Sequence, residues 1–232
     1  MREKCKSLYD RYSFTEEEVS AIEKMTQAQA ECSAWHEHRV GRITASKVYD
    51  VLRTDPTSPS ISLLNSLTQT SFNKHRTSLP SLSWGIENEA NALEVVRQVY
   101  SGQHSNFSLV KCGLFLNPRY KYHGASPDGI ASCDCCDKKI VEAKCPYSYR
   151  DIEDITTVMK NFLNDEMSIR KEHKYYAQIQ AQLAVCDVTK CVFVCFSPKG
   201  GSIIVEVMFD SDWFNERENR LRLFLLNMSC LF

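Results

Sequence analysis

The stretch IVEAKCP, residues 140–146, reads as a short apolar strand with a carboxylate at Glu142 and an ammonium at Lys144. Side chains alternate across a strand. Ile140, Glu142 and Lys144 therefore share one face, and Val141, Ala143 and Cys145 share the other. Taken alone, the charged face is most simply the wet side of an amphipathic strand. Whether it is instead a reactive face depends on what the chain places beside it.

Upstream lies GASPDGI, residues 124–130. Pro127-Asp128-Gly129 has the composition of a turn. A short strand and a hairpin follow, then Glu142-Ala143-Lys144. An Asp at the start of one strand, with Glu-x-Lys on its partner, brings two carboxylates together. Hard divalent cations such as Mg²⁺ take oxygen ligands of this kind. A neighbouring lysine can polarise a water or stabilise developing charge. Pro-Asp followed by Glu-x-Lys is the signature of the PD-(D/E)XK nucleases, but both halves are frequent by chance.

A third carboxylate comes from WGIENEANALEVVRQVY, residues 84–100, which reads as an amphipathic helix. At about 100° per residue, Ile86, Ala90, Leu93, Val96 and Tyr100 form one apolar stripe, and Glu89 falls within it. A core-facing carboxylate needs a partner, because burying it unpaired is costly. A metal ion would serve. So would Arg97, which also falls near the stripe, and both readings stand open on the helix pattern.

The 232 residues carry 43% hydrophobic and 25% charged side chains, ordinary for a globular chain, with a formal net charge of −1. There is no global basic footprint for nucleic acid, although a local basic groove can sit on a neutral protein. No apolar run approaches the ~20 residues that span a bilayer, so no membrane association is expected. The first ten residues hold charge but no apolar segment and do not read as a secretory signal. The 11 cysteines are irregularly spaced and read as reduced thiols inside a cell, in the nucleus if the cell is eukaryotic. Cys133, Cys135 and Cys136 could bind structural Zn²⁺. However, C-x-C-C lacks the paired C-x₂-C spacing and a clear fourth ligand, which favours an exposed hairpin of free thiols.

The rest of the chain punctuates into elements. Thr15 and Glu18 form a capping box that opens a helix to about residue 30. A turn around Gly41 leads to a helix capped near Thr44 and ending near Arg53. Residues 54–62 are a Pro/Ser loop. Three short strands fall in 107–146, with a hairpin turn at CDCCDKK. Residues 151–186 return to helix, two strands follow through a Lys-Gly-Gly turn, and Ser211 or Asp212 caps a final helix. The order predicts one domain over 1–232 of α/β class, a mixed central sheet flanked by helices. Its motif-bearing core is 27–186, with a helical extension over 1–26 and further strands and a helix over 187–232.

WHEHRVGRITASK, WGIENEANA, ASPDG, VEAKCP and YYAQIQ occur in this order. Together they closely resemble the YqaJ-type viral recombinases, the phage lambda exonuclease group. The resemblance implies a restriction-endonuclease-like PD-(D/E)XK core and a Mg²⁺- or Mn²⁺-dependent deoxyribonuclease, acting 5′→3′ on double-stranded DNA. It implies that Glu89, Asp128, Glu142 and the Ala143 carbonyl hold metal, that Lys144 orients the attacking water, and that Gln178 supports the site. It further implies that Arg39, Ser46 and Ser126 bind a terminal 5′-phosphate. Ser46 near a helix start makes independent sense there, since free N–H groups and the dipole favour an anion. Relatives can form ring-shaped trimers around DNA, and no stretch here reports such an interface. An endonuclease or structure-selective nuclease of the same fold is the alternative, and a non-catalytic nucleic-acid-binding module is a third reading.

Overall fold

The computed structural model describes residues 13–68 and 79–228. Residues 1–12 of the expected N-terminal extension lie outside the described residues. The helices are α1 Glu16–Met25, α2 Ser33–Arg39, α3 Val48–Arg53, α4 Ile61–Thr68, α5 Pro80–Ser101, α6 Lys174–Cys186 and α7 Ser211–Met228. The strands are β1 Ile43–Thr44, β2 Ser108–Val110, β3 His123–Gly124, β4 Gly129–Cys133, β5 Cys136–Lys144, β6 Lys190–Ser197 and β7 Gly201–Met208.

A five-stranded sheet in the order β2-β4-β5-β6-β7 forms the centre. The β5–β6 pair is parallel and the other pairs are antiparallel, so the sheet is mixed, as expected. Residues 140–144 of the opening stretch lie on the middle strand, and Cys145 and Pro146 follow its end. Both of its faces are covered, which is why Glu142 is only 2% exposed and its face is not a wet one. Val141 and Ala143 pack with Val192 and Val194 against Leu93, Val96 and Tyr100 of α5. On the other face, Ile140 and Phe193 join a larger core with Ile179 and Leu183 of α6, Val48 and Val51 of α3, and Phe214 and Phe224 of α7. Fully burying each of these aliphatic or aromatic side chains contributes about 1.5–3 kcal/mol. The result is a helix–sheet–helix sandwich with β5 and β6 at its centre.

Several expectations from sequence are corrected. The capping box at Thr15 and Glu18 is present, but α1 stops at Met25 because the Thr26 hydroxyl turns back onto the carbonyls of Ile22 and Glu23. Trp35–Arg39 is helical, in α2, before the turn at Gly41, whose φ of 75° suits glycine. Residues 151–173 are not helix. Asp154 opens a 3-10 stretch, Ile155–Asn161, and a tight loop bridged by Leu163 and Ile169 follows. The Asp154 and Asn164 side chains there accept from nearby main-chain N–H groups and compete with a helical ladder. The final helix is capped by Asp210, whose carboxylate accepts from the Trp213 N–H at 3.0 Å. The Ile86–Tyr100 stripe holds only for its C-terminal half, since Ile86 and Ala90 are exposed.

The first helix is fastened to the loop after β2 by polar contacts as well as packing. The Gly113 N–H donates to Glu23 Oε1 at 2.9 Å, and the Leu114 N–H donates to Thr26 Oγ1 at 2.8 Å. A Cβ on Gly113 would lie 2.0 Å from the Glu23 carbonyl oxygen and 2.5 Å from Thr26 Oγ1. Gly113→Ala therefore has to push α1 off the domain. Its expected cost is about 1–3 kcal/mol, the usual range for overpacking, read as a lowered urea midpoint. An unchanged midpoint would show that α1 does not dock in this way.

Candidate active site

The three carboxylates come from three elements. Glu89 is on α5, Asp128 immediately precedes β4, and Glu142 is near the end of β5. Asp128 is held by the hairpin itself. Its N–H donates to the Val141 carbonyl at 3.0 Å, and its Oδ2 accepts from the Ala143 N–H at 2.6 Å. The side chain thus takes the place of the next main-chain rung between β4 and β5. Glu142 faces α6. Gln178 Nε2 donates to its Oε1 at 2.5 Å, Gln182 Nε2 donates to its Oε2 at 2.6 Å, and Lys144 Nζ also donates to Oε1. Gln178 and Gln182 are four apart on α6, one turn, so they reach the same carboxylate from one face.

Glu89, Asp128, Ala143, Lys144, Gln178 and Ser46 line one cleft of about 700 Å³, together with Ile86 and Tyr175. Glu142 lies just behind its wall, reached through Lys144 and Gln178. The Glu89–Arg97 ion pair does not form, because Arg97 pairs with Glu94 at 2.5 Å. Burial raises the Glu89 pKa and the Glu142 charge adds to this, with Lys111 and Lys144 opposing. Asp128 is raised well above the ordinary carboxylate range, first by burial and then by the charges of Glu142 and Glu89. Burial pulls Lys144 down, but Glu142 and Asp128 more than offset it, and the ammonium is held charged. Three carboxylates crowded against one lysine form an oxygen donor set whose mutual repulsion a hard divalent cation would relieve. The donor chemistry fits Mg²⁺ or Mn²⁺.

The expected phosphate residues are only partly brought together. Ser46 lines the cleft and its Oγ lies 3.3 Å from Thr44 Oγ1. It sits in a 3-10 turn, Ala45–Lys47, ahead of the six-residue α3, so the helix-dipole argument for an anion is weak. Arg39 and Ser126 are joined to each other through Trp35, and neither lines the cleft. The Arg39 guanidinium stacks on the Trp35 ring, 3.6 Å from its centroid, and Trp35 Nε1 donates to Ser126 Oγ at 2.9 Å. Arg39 and Thr44 line a smaller hollow.

Gln182 lies outside the set expected from sequence, which named only Gln178 on α6. Gln180 and Gln182 are buried, and Gln180 bonds the Met208 carbonyl and the Asp210 N–H. The i,i+4 spacing of Gln178 and Gln182 was the available signal. Tyr175 was also missed; Lys144 Nζ lies 5.9 Å from its ring centroid.

The family model of the YqaJ-like viral recombinase domain matches residues 34–189. An uncharacterized protein of Acanthamoeba polyphaga mimivirus is 24% identical over 188 residues, 76% of this chain but only 30% of that protein. The chain therefore spans less than a third of that curated relative. Among solved structures, the alkaline exonuclease of Laribacter hongkongensis in complex with dAMP is similar at a TM-score of 0.64 and 22% identity, covering 85% of this chain and 92% of that one. The shutoff and exonuclease protein of Kaposi's sarcoma associated herpesvirus is similar at a TM-score of 0.57 and 12% identity, covering 94% and 72%. These likenesses show the fold. Among the described residues, no helix is long and apolar enough to cross a membrane.

Two outcomes follow for stability. Gln182→Leu leaves a buried carboxylate oxygen short of a donor and is expected to cost about 1–3 kcal/mol in urea unfolding; no loss would disprove the buried network. Raised carboxyl pKa values mean stability that is lost as pH rises through the folded-state pKa values of Glu89 and Asp128. Without divalent cations, Asp128→Asn should therefore raise Tm at pH 8, by roughly 2–4 °C for a chain of this length if about 1 kcal/mol is recovered. The gain should shrink as pH falls toward the ordinary carboxylate range. A lowered Tm at pH 8 would refute the crowding argument.

Proposed function

We infer the function from kinship and from the cleft together: the chain belongs to the YqaJ-like viral recombinase family, and we propose that it is a divalent-metal-dependent nuclease that hydrolyses DNA from a 5′ end. The observation that carries this reading is the convergence of Glu89, Asp128 and Lys144 on one cleft, with Glu142 behind them. Bound there, Mg²⁺ or Mn²⁺ would supply a nucleophile at neutral pH and relieve charge on the leaving 3′-oxygen.

The chain's own residues set the geometry. Asp128 is fixed by the Ala143 N–H and Glu142 by two glutamines, so the oxygen ligands are oriented before anything binds. The Ala143 carbonyl, at the edge of the same cleft, is proposed as a further ligand. Lys144 keeps its positive charge and can donate to an attacking water or to a non-bridging phosphate oxygen, stabilising charge that grows in the transition state. Gln178, shared between the cleft and Glu142, is a positioning residue. We place the terminal 5′-phosphate against Ser46, with Arg39 and Ser126 beside it. The Arg39–Trp35–Ser126 string supports this, since a guanidinium stacked on an indole presents its fork in a set orientation.

The test uses end-labelled linear duplexes with 5′-phosphate or 5′-hydroxyl ends, and covalently closed circular DNA, each with Mg²⁺ or Mn²⁺. Linear DNA should be degraded and closed circles left intact. Lys144→Ala should lower the rate by about 10²-fold or more. Equal products from wild type and Lys144→Ala would sink the nuclease assignment, and cutting of closed circles would replace the exonuclease with an endonuclease of the same fold. Arg39→Ala should erase the preference for a 5′-phosphate; a retained preference would move that pocket elsewhere.

A further inference from the structure

The two-residue turn of the β4–β5 hairpin, Asp134-Cys135, carries a group of side chains that the cleft does not use. Lys144 is eight residue steps along the strand from Cys136, about 26 Å at the usual rise, so this group lies at the far end of β5. The sequence offered three thiols here without a fourth ligand. The structure brings His104, three residues past the end of α5, onto them. We propose that His104, Cys133, Cys135 and Cys136 form a tetrahedral structural zinc site that fastens the end of α5 to the β4–β5 hairpin.

The geometry argues for a metal over a loose thiol cluster. All four donor atoms lie within 4.8 Å of one another. His104 Nδ1 is 3.2 Å from Cys135 Sγ and 3.6 Å from both Cys133 Sγ and Cys136 Sγ. Cys135 Sγ is 3.5 Å from Cys133 Sγ and 4.0 Å from Cys136 Sγ. Zinc bond lengths to sulfur and nitrogen place the edges of a tetrahedron at about 3.8 Å between sulfurs and about 3.5 Å between nitrogen and sulfur. The observed edges scatter about these values. A disulfide needs its sulfurs at about 2 Å, and Cys133, Cys135 and Cys136 are all free.

The surroundings hold the ligands in place. The His104 ring stacks on Tyr100, with centroids 5.3 Å apart and planes 7° apart, which fixes the direction of Nδ1. Tyr100 is anchored by its hydroxyl, which donates to Glu206 at 2.9 Å. Asn106 Nδ2 donates to Asp134 Oδ2 at 2.6 Å, and the Asp134 N–H donates to the Ser105 carbonyl at 3.0 Å. The loop after α5 and the hairpin turn are thus already clasped. Three thiols and an imidazole select zinc over magnesium, the reverse of the carboxylate cleft. Four protein ligands leave no open position for chemistry, so the role is structural. The site ties together the helix that carries Glu89 and the hairpin that carries Asp128 and Glu142.

The test is the zinc content of the full chain, purified reduced and without chelator, by plasma mass spectrometry. About one zinc per chain is expected. It should persist in Asp128→Ala, which disables the carboxylate cleft, and be lost in Cys135→Ser and in His104→Ala. Because those variants could misfold, the wild-type protein is also stripped of metal and titrated with Co²⁺. Sulfur-to-cobalt charge-transfer bands with tetrahedral d–d bands are expected. Wild-type zinc no higher than in Cys135→Ser overturns the proposal. So does a cobalt spectrum without thiolate bands, zinc lost in Asp128→Ala, or an intact mass lower by the two hydrogens of a disulfide. None of these outcomes depends on nuclease activity.

Discussion

Glu142 places a carboxylate on the middle strand of a sheet whose two faces are both covered. A charge in that position has to be paired and hydrogen-bonded, or it would neutralise itself or unfold the strand. Lys144, Gln178 and Gln182 meet that demand. Their placement explains much of the architecture around them. The α6 helix must cross β5 with a polar ridge in an otherwise apolar contact, and Lys144 must lie back along its own strand. The lysine therefore answers a structural requirement and a chemical one with the same atoms.

The cleft stands where two cores meet. One core lies between α5 and the sheet, the other between the sheet and α3, α6 and α7. Glu89 belongs to the first layer, Gln178 to the second, and Asp128 and Lys144 to the sheet between them. No single layer contains the donor set. Its geometry is fixed by the packing of all three, and interior packing is stiff enough to hold side chains in place.

The sequence made the local parts of this legible and hid the distant ones. The Glu142/Lys144 alternation, the Asp128 turn and the Glu89 helix each leave a short-range pattern, and the two faces of β5 fall as the alternation requires. Residues 151–173 misled because their apolar residues are spaced like a helix, while Asp154 and Asn164 bond their own main chain. The exposure of Ile86 was illegible because a helix pattern does not say where the facing core ends and an open cleft begins. Gln182 was hidden for a similar reason: its polarity is explained only by a carboxylate forty residues away in sequence. His104 lies 29 residues before the first thiol it approaches, joined to it only by the return of the chain through β2 and β4.

The Asp128 carboxylate on the Ala143 N–H has one more consequence. Continuing the Gly129↔Val141 register would bring Pro127 opposite Ala143. Proline has no N–H to give to the facing strand, and Asp128 has already claimed the donor that Ala143 offers. The hairpin is a zipper jammed one tooth from its end, and the residues at the jam, Asp128 and Ala143, line the cleft. A chain that could close that last tooth would gain one more rung of sheet at the cost of the Asp128 side chain's hold on Ala143.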